Sequence, residues 1–223
     1  MMKAMHTIIL RMINPSIWVN HSKRKAIIKR IKKCGRNFSF GRYSTFVTPE
    51  LLTVGQDVFI GERAYLSGEI IIGNNVMFGP RALILEGNHI FAVYGKRARF
   101  IKPDSRSHRK PTIIEDEVWC GAGVIVLRGT VGMGSVIGAG SVVTQDIPPY
   151  VVAVGNYCRP IKRIFTDEVL LKHLRKLGVD EKRACEVVSH RADHLKKMGM
   201  ELIPVVDQTG QYQIIYEYPY ADQ

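Results

Sequence analysis

The sequence predicts an all-β solenoid of short parallel strands, with an N-terminal helix, an inserted loop and a C-terminal extension of two helices and a hairpin. Apolar residues recur every six positions, at Val54, Ile60, Leu66, Ile72, Phe78 and Ile84, and a glycine follows four of these six. A second small or aliphatic residue stands four places after each of the first five, at Val58, Ala64, Ile70, Val76 and Ala82. Six residues turn an α-helix through about 600°, which scatters the key residues over three faces. In extended chain an even period keeps them on one face. The recurrent glycine then offers a corner where φ can be unusual, so short strands stack coil upon coil.

Taken in order, residues 1–35 read as a basic cap. Thr7 to Leu10 is the only apolar run before Arg11, and Pro15 follows, too little for a signal peptide core or a membrane span. Ser22 to Lys33 is expected to be a helix with Ala26, Ile27, Ile28 and Ile31 on its apolar side, ended by Gly35 and capping the first coil. Residues 36–165 are the solenoid, interrupted by an inserted loop at 87–111. The repeat resumes at Ile114, Cys120 and Val126, then at Val131, Ile137 and Val143. The step from Val126 to Val131 is five, so a bulge or tightened corner is expected at Arg128 to Thr130. Residues 166–223 form the extension. Helices are expected about Asp167 to Leu177 and Asp180 to Met198, each entered by Asp or Thr and stopped by Gly178 or Gly199. Val205-Val206, the turn Gln208-Thr209-Gly210 and alternating Tyr212, Ile214, Tyr216 and Tyr218 read as a hairpin.

With 223 residues, 46% hydrophobic and 23% charged, the chain can bury a sizeable core, and disorder, collagen and coiled coil are excluded. The formal charge of +12 is local. Residues 1–33 hold nine basic residues and no acid, and 91–110 hold seven and one, so these segments together carry +15 and the remainder −3. This points to anionic ligands at particular places, not to nucleic acid, for which no motif is present. Cys34, Cys120, Cys158 and Cys185 have no zinc-ligand spacing and fit reduced thiols in a soluble, cytoplasmic protein.

Several stretches resemble the hexapeptide-repeat acyltransferases. They are Ile72-Gly73-Asn74-Asn75-Val76 before Gly87-Asn88-His89, the run from Ile114 through Glu117-Val118-Trp119-Cys120-Gly121, then Val136 to Thr144, and Asp146-Ile147-Pro148-Pro149-Tyr150. The resemblance covers roughly residues 34–165 and is nearest to sugar O-acetyltransferases, including galactoside and maltose acetyltransferases and enzymes acting on bacterial surface polysaccharides. It implies a left-handed parallel β-helix, a homotrimer and acetyl-CoA as co-substrate without a metal. It also implies His89 as the general base that takes the sugar hydroxyl proton, a task suited to neutral imidazole. Trp119 matches a tryptophan beside the coenzyme, or else is a corner side chain covering the solenoid. Ala122, Ala139 and Thr144 match positions lining the coenzyme groove, and Arg159 and Lys162 match basic residues after the final coil. Two departures stand out: Gly155-Asn156-Tyr157 replaces Gly-x-Pro, and Gln145 replaces a lysine. Asn88, with Arg97 and Arg99 of the basic loop, is the expected contact to the acceptor, either a small molecule or a glycan.

The expected activity is therefore acetyl transfer to a sugar hydroxyl in surface-polysaccharide biosynthesis. Alternatives are N-acetylation of an amino sugar or nucleotide sugar, drug acetylation of the streptogramin or chloramphenicol type, and a non-catalytic scaffold. A γ-type carbonic anhydrase needs three metal histidines, and only His89 and His108 fall in the repeat region. His190 and His194 stand i, i+4 on a helix, but Arg191 occupies the place of a zincin glutamate, so they read as a surface pair.

Overall fold

The computed structural model describes residues 24–87, 93–101 and 110–201. A helix α1 (residues 24–30) precedes strands that recur in a fixed three-sheet rotation. The first coil is β1 (Lys33–Cys34), β2 (Ser39–Phe40) and β3 (Thr45–Phe46), and the second is β4 (Leu52–Val54), β5 (Phe59–Ile60) and β6 (Tyr65–Ser67). The third is β7 (Ile70–Ile72), β8 (Met77–Phe78) and β9 (Leu83–Leu85), and the fourth is β10 (Thr112–Ile114), β11 (Trp119–Cys120) and β12 (Ile125–Val126). The fifth is β13 (Thr130–Val131), β14 (Val136–Ile137) and β15 (Val142–Val143). Then β16 (Val151–Val154) extends the second sheet, and β17 (Arg159–Arg163) folds back antiparallel on it. We call the three faces sheets A (β1-β4-β7-β10-β13), B (β2-β5-β8-β11-β14-β16-β17) and C (β3-β6-β9-β12-β15).

The six-residue period exists because three short strands and three corners close one coil, and each coil lies in register on the last. Val54, Ile72, Ile114 and Val131 stack in one column on sheet A. Ile60, Phe78, Cys120 and Ile137 stack on sheet B, and Leu66, Ile84, Val126 and Val143 on sheet C. All of these side chains are buried. At about 1.5–3 kcal/mol for each fully buried aliphatic side chain, the three columns are the main source of stability.

The repeat glycines have a different cause from the one expected. Those following the key residues have ordinary φ; their requirement is space. A Cβ on Gly61 would lie 2.5 Å from the backbone of Gly79 and Pro80, and one on Gly79 would lie 2.6 Å from the Ala122 nitrogen. The left-handed corners fall elsewhere in each coil, on Asn37, Asp57, Asn75 and Glu117 at one edge and on Tyr43, Arg63 and Arg81 at the next.

The lower end also differs from expectation. Helix α1 ends near residue 30, not at Lys33, because Lys33 and Cys34 are captured as a strand by pairing with Thr53 and Val54. The hexads thus begin at Cys34, Phe40 and Phe46, below the first one read from the sequence. They are hidden there by a 3₁₀ turn, Pro49–Leu51, that lengthens the corner before Val54. Phe38, Phe40 and Phe46 form an aromatic plug, with centroids 4.7–6.4 Å apart, and Ile27, Ile28 and Ile31 of the α1 segment pack on the core above it. The short hexad is a tightened corner: Gly129 takes φ +95°, and the Thr130 N–H donates to Asp146 Oδ1 at 2.7 Å.

The two C-terminal helices are α2 (Asp167–Lys176), capped by Thr166, and α3 (Glu181–Lys197), capped by Asp180. Gly178 and Gly199 follow them in left-handed geometry. Leu170, Leu174, Ala184 and Val187 pack with Met133 and Tyr150, which docks the helices on the upper coils. Arg191, between His190 and His194, is fully buried and paired with Asp167. The expected hairpin at 205–218 lies outside the described residues.

Candidate active site

The upper coils bring four of the expected residues along one edge and one face. Trp119 projects outward from β11 and is half exposed, so it covers no core. In-register pairing sets Trp119 beside Val136, Val136 beside Val152, and Val152 beside Lys162. Trp119 and Lys162 therefore lie on one outer column of sheet B, three strand spacings or about 14 Å apart. Arg159 stands exposed at the start of the same antiparallel strand.

Ala122 follows Trp119 by three residues and forms the corner between sheets B and C. Ala139 lies directly above it, where the Gly140 N–H donates to the Ala122 carbonyl at 2.8 Å. Gly123 and Gly140 complete these corners at φ +67° and +71°, and a Cβ on either would meet nothing within 4 Å. Here glycine is kept for its left-handed backbone, and the result is a bare strip of main chain beside the Trp119 column. Thr144 lies at the far end of β15, across sheet C from Ala139, with its carbonyl held by Arg128 Nε at 3.0 Å. The structure does not bring it to the edge shared by Ala122 and Ala139.

At the divergent turn after β16, Gly155 takes φ +103° and the Asn156–Tyr157 peptide is cis. The turn is closed by hydrogen bonds of 3.0 Å from the Gly155 N–H to Ser141 Oγ and from the Val142 N–H to the Gly155 carbonyl. Asn88 and His89 lie outside the described residues, as do Lys102, Arg106, His108 and Arg109 of the loop. Arg97 and Arg99 are exposed, flanking and within a 3₁₀ turn at Ala98–Phe100. The Glu86 carboxylate, three residues before His89, serves the fold, its Oε2 accepting from the Glu69 N–H at 2.8 Å.

A cleft of about 330 Å³ between the outer face of sheet A and the C-terminal helices, lined by Ile71, Ile113, Met133, Val179 and Arg183, contains none of these residues. Its carboxylates serve the fold, Glu115 accepting from the Met133 N–H at 2.8 Å and Asp116 from the Asn74 N–H at 2.7 Å. All four cysteines are free, and burial pushes the Cys158 thiol up to about 11, leaving it a core side chain. Among the described residues no group of three or more His, Cys, Asp or Glu is placed to hold a metal ion, and no helix is long and apolar enough to cross a membrane.

Residues 111–145 match the model described as the hexapeptide repeat of succinyl-transferase. The chain is 32% identical to a galactoside O-acetyltransferase of Escherichia coli over 155 residues, 65% of this chain and 73% of that one. A maltose O-acetyltransferase from Clostridium difficile superposes with a TM-score of 0.55 at 29% identity, covering 66% of this chain and 76% of that one. A galactoside acetyltransferase in complex with coenzyme A superposes with a TM-score of 0.50 at 26% identity, covering 65% and 71%. The chain belongs to the hexapeptide-repeat acetyltransferases, and its solenoid is their left-handed β-helix. Within that family its relatives here are the galactoside and maltose O-acetyltransferases. The chain spans about half the length of other curated relatives it matches, 53% of a galactoside O-acetyltransferase from Lactococcus lactis at 42% identity.

Proposed function

We propose that this protein is an acetyl-CoA-dependent O-acetyltransferase that acts on a sugar hydroxyl in bacterial surface-polysaccharide biosynthesis, as a cytoplasmic homotrimer. The observation that carries this reading is the bare main-chain strip at Ala122–Gly123 and Ala139–Gly140 beside the column from Trp119 to Lys162. Exposed backbone suits a narrow pantetheine arm that must be held by hydrogen bonds along its length. The indole offers a flat apolar wall, and Lys162 with Arg159 offers cations where a phosphate-bearing end would lie. Likeness to sugar O-acetyltransferases, one of them a coenzyme A complex, supports the same reading.

His89 is the proposed base. It takes the proton from the acceptor hydroxyl as the oxygen attacks the thioester carbonyl, and it returns that proton to the departing thiolate. Asn88, Arg97 and Arg99 are the proposed contacts to the acceptor, and Thr144 a further coenzyme contact. A thiol-release assay over hexoses, amino sugars, nucleotide sugars and acidic glycans tests the reaction. Release with a hydroxyl acceptor, reduced about a hundredfold or more in His89→Ala with coenzyme binding retained, is the expected result. Undiminished turnover in that variant would remove His89 from the mechanism, and failure to bind coenzyme A would remove the reaction itself.

A further inference from the structure

We propose that the edge between sheets B and C in the lower coils is a docking surface for a linear acidic glycan, the acceptor class of the reaction proposed above, on which this inference rests. Along this edge one residue per coil takes the left-handed backbone: Tyr43, Arg63 and Arg81 at φ 60°, 57° and 62°, then Gly123 and Gly140. Main-chain bonds stack them, from the Arg63 N–H to the Arg42 carbonyl at 2.8 Å and from the Arg81 N–H to the Glu62 carbonyl at 2.7 Å. A left-handed backbone disfavours any residue with a Cβ. The upper coils use glycine, whereas the second and third coils hold arginine in the same conformation.

The fold makes little use of these arginines. Among the described residues the guanidinium groups of Arg42 and Arg81 enter no hydrogen bond or ion pair, and the Arg63 guanidinium lies over the Tyr43 ring, 5.6 Å from its centroid. Other arginines nearby are engaged, Arg36 of the first coil with Gln56 at 3.2 Å and Arg30 of α1 with Glu50 at 3.4 Å. A local rule broken without an internal gain marks a functional position. Arg42, Arg63 and Arg81 against the single acid Glu62 leave this stretch of edge at +2.

Spacing and flanking chemistry select the occupant. Successive coils are about 4.8 Å apart, roughly the advance of one sugar in an extended chain, so Arg63 and Arg81, one coil apart, match carboxylates on successive residues of a linear acidic glycan, with Arg42 one residue off that column in the coil below. Phe59 and Met77 on the sheet B side and Tyr65 on the sheet C side are 48%, 52% and 41% exposed, apolar faces on which sugar C–H surfaces pack. From Arg81 the chain runs through β9 directly to Gly87, so the ladder leads to the coil from which the insertion departs.

The test is binding of a fluorescently labelled oligogalacturonate to the full-length protein, with neutral maltohexaose and an oligodeoxynucleotide of equal charge as comparators. Wild type should bind the oligogalacturonate, weakening steeply with added salt, and bind both comparators at least tenfold more weakly. The triple variant Arg42→Gln, Arg63→Gln, Arg81→Gln should lose at least tenfold in that affinity while its Tm and coenzyme A affinity stay at wild-type values. The corresponding triple lysine variant should recover most of it. Equal binding of the oligodeoxynucleotide, unchanged affinity in the triple variant, or conversion of that variant to a smaller oligomer would each overturn the proposal, the last by assigning the edge to a subunit contact. Coenzyme A binding is read in the same samples: its absence from wild type refutes the acetyltransferase reading, whereas its presence beside an unaffected triple variant refutes only the ladder.

Discussion

The close approach of the third and fourth coils makes Gly79→Ala a sharp test of how the solenoid is held together. The added Cβ would sit 2.6 Å from the Ala122 nitrogen and 2.7 Å from the Gly121 carbonyl carbon, about 0.8 Å inside the 3.4 Å at which ordinary contact begins. Both neighbours are backbone, so no side chain can swing away. Relief requires the coils to separate, which stretches the 2.7 Å hydrogen bond from the Gly79 N–H to the Cys120 carbonyl. Overpacking of this kind costs about 1–3 kcal/mol, and a weakened main-chain bond adds about 1 kcal/mol. The expected loss is therefore about 2–4 kcal/mol, which lowers Tm by about 4–16 °C in a chain of this size. Gly123→Ala is the control, since its Cβ meets nothing within 4 Å and only the left-handed φ of +67° opposes it, at about 1 kcal/mol. Urea and thermal unfolding of both variants decide the matter: equal, small losses would refute close approach as the reason for the repeat glycines.

Three further outcomes follow from particular contacts. Asp167→Asn should destabilise the protein more than Arg191→Met, because the first leaves a buried guanidinium that already has Nε and Nη1 unpartnered, whereas the second removes the buried charge altogether; paired urea titrations read the order. Burial first, and then His190, holds the His194 imidazole below its usual value. The unfolded chain therefore binds more protons as pH falls through about 6.5, and stability present above that pH is lost below it; His194→Gln should flatten the fall in Tm between pH 7.5 and 5.5. Trp119→Ala should weaken coenzyme A binding about tenfold with little change in Tm, since the ring faces solvent, and calorimetric titration checks both.

The inner positions were legible because burial imposes the same demand on every coil: spacing alone marked Val54 through Ile84 and Ile114 through Val143 as sharing the inward face of extended chain, and it is the structure that divides them among three sheets. Helix ends were legible where caps and glycines coincide, as at Thr166, Asp180, Gly178 and Gly199. The first coil escaped notice because the 3₁₀ turn at Pro49–Leu51 shifts the spacing between Phe46 and Val54 from six to eight. The glycine rule was visible but its cause was not, since close approach between coils is a property of stacking and not of the local chain. The burial of Arg191 was not legible for a related reason: its neighbours in sequence are exposed, and only the docking of α3 on Asp167 buries it. At the candidate site, the in-register column joining Trp119 to Lys162 depends on β17 reversing direction, which nothing in the residues of that strand announces. Motif matching could name both residues but could not place them on one face.

That reversal has a consequence for assembly along the solenoid axis. A parallel coil ends in a row of open amide and carbonyl groups that would accept another coil, and a stack of such ends grows without limit. Here β17 turns the terminal pairing of sheet B antiparallel, a polarity that a following parallel coil cannot extend, while the aromatic plug under α1 closes the opposite end. The molecule is thus a ruler with a stop at each end, and its length is set by how many coils the gene encodes between them.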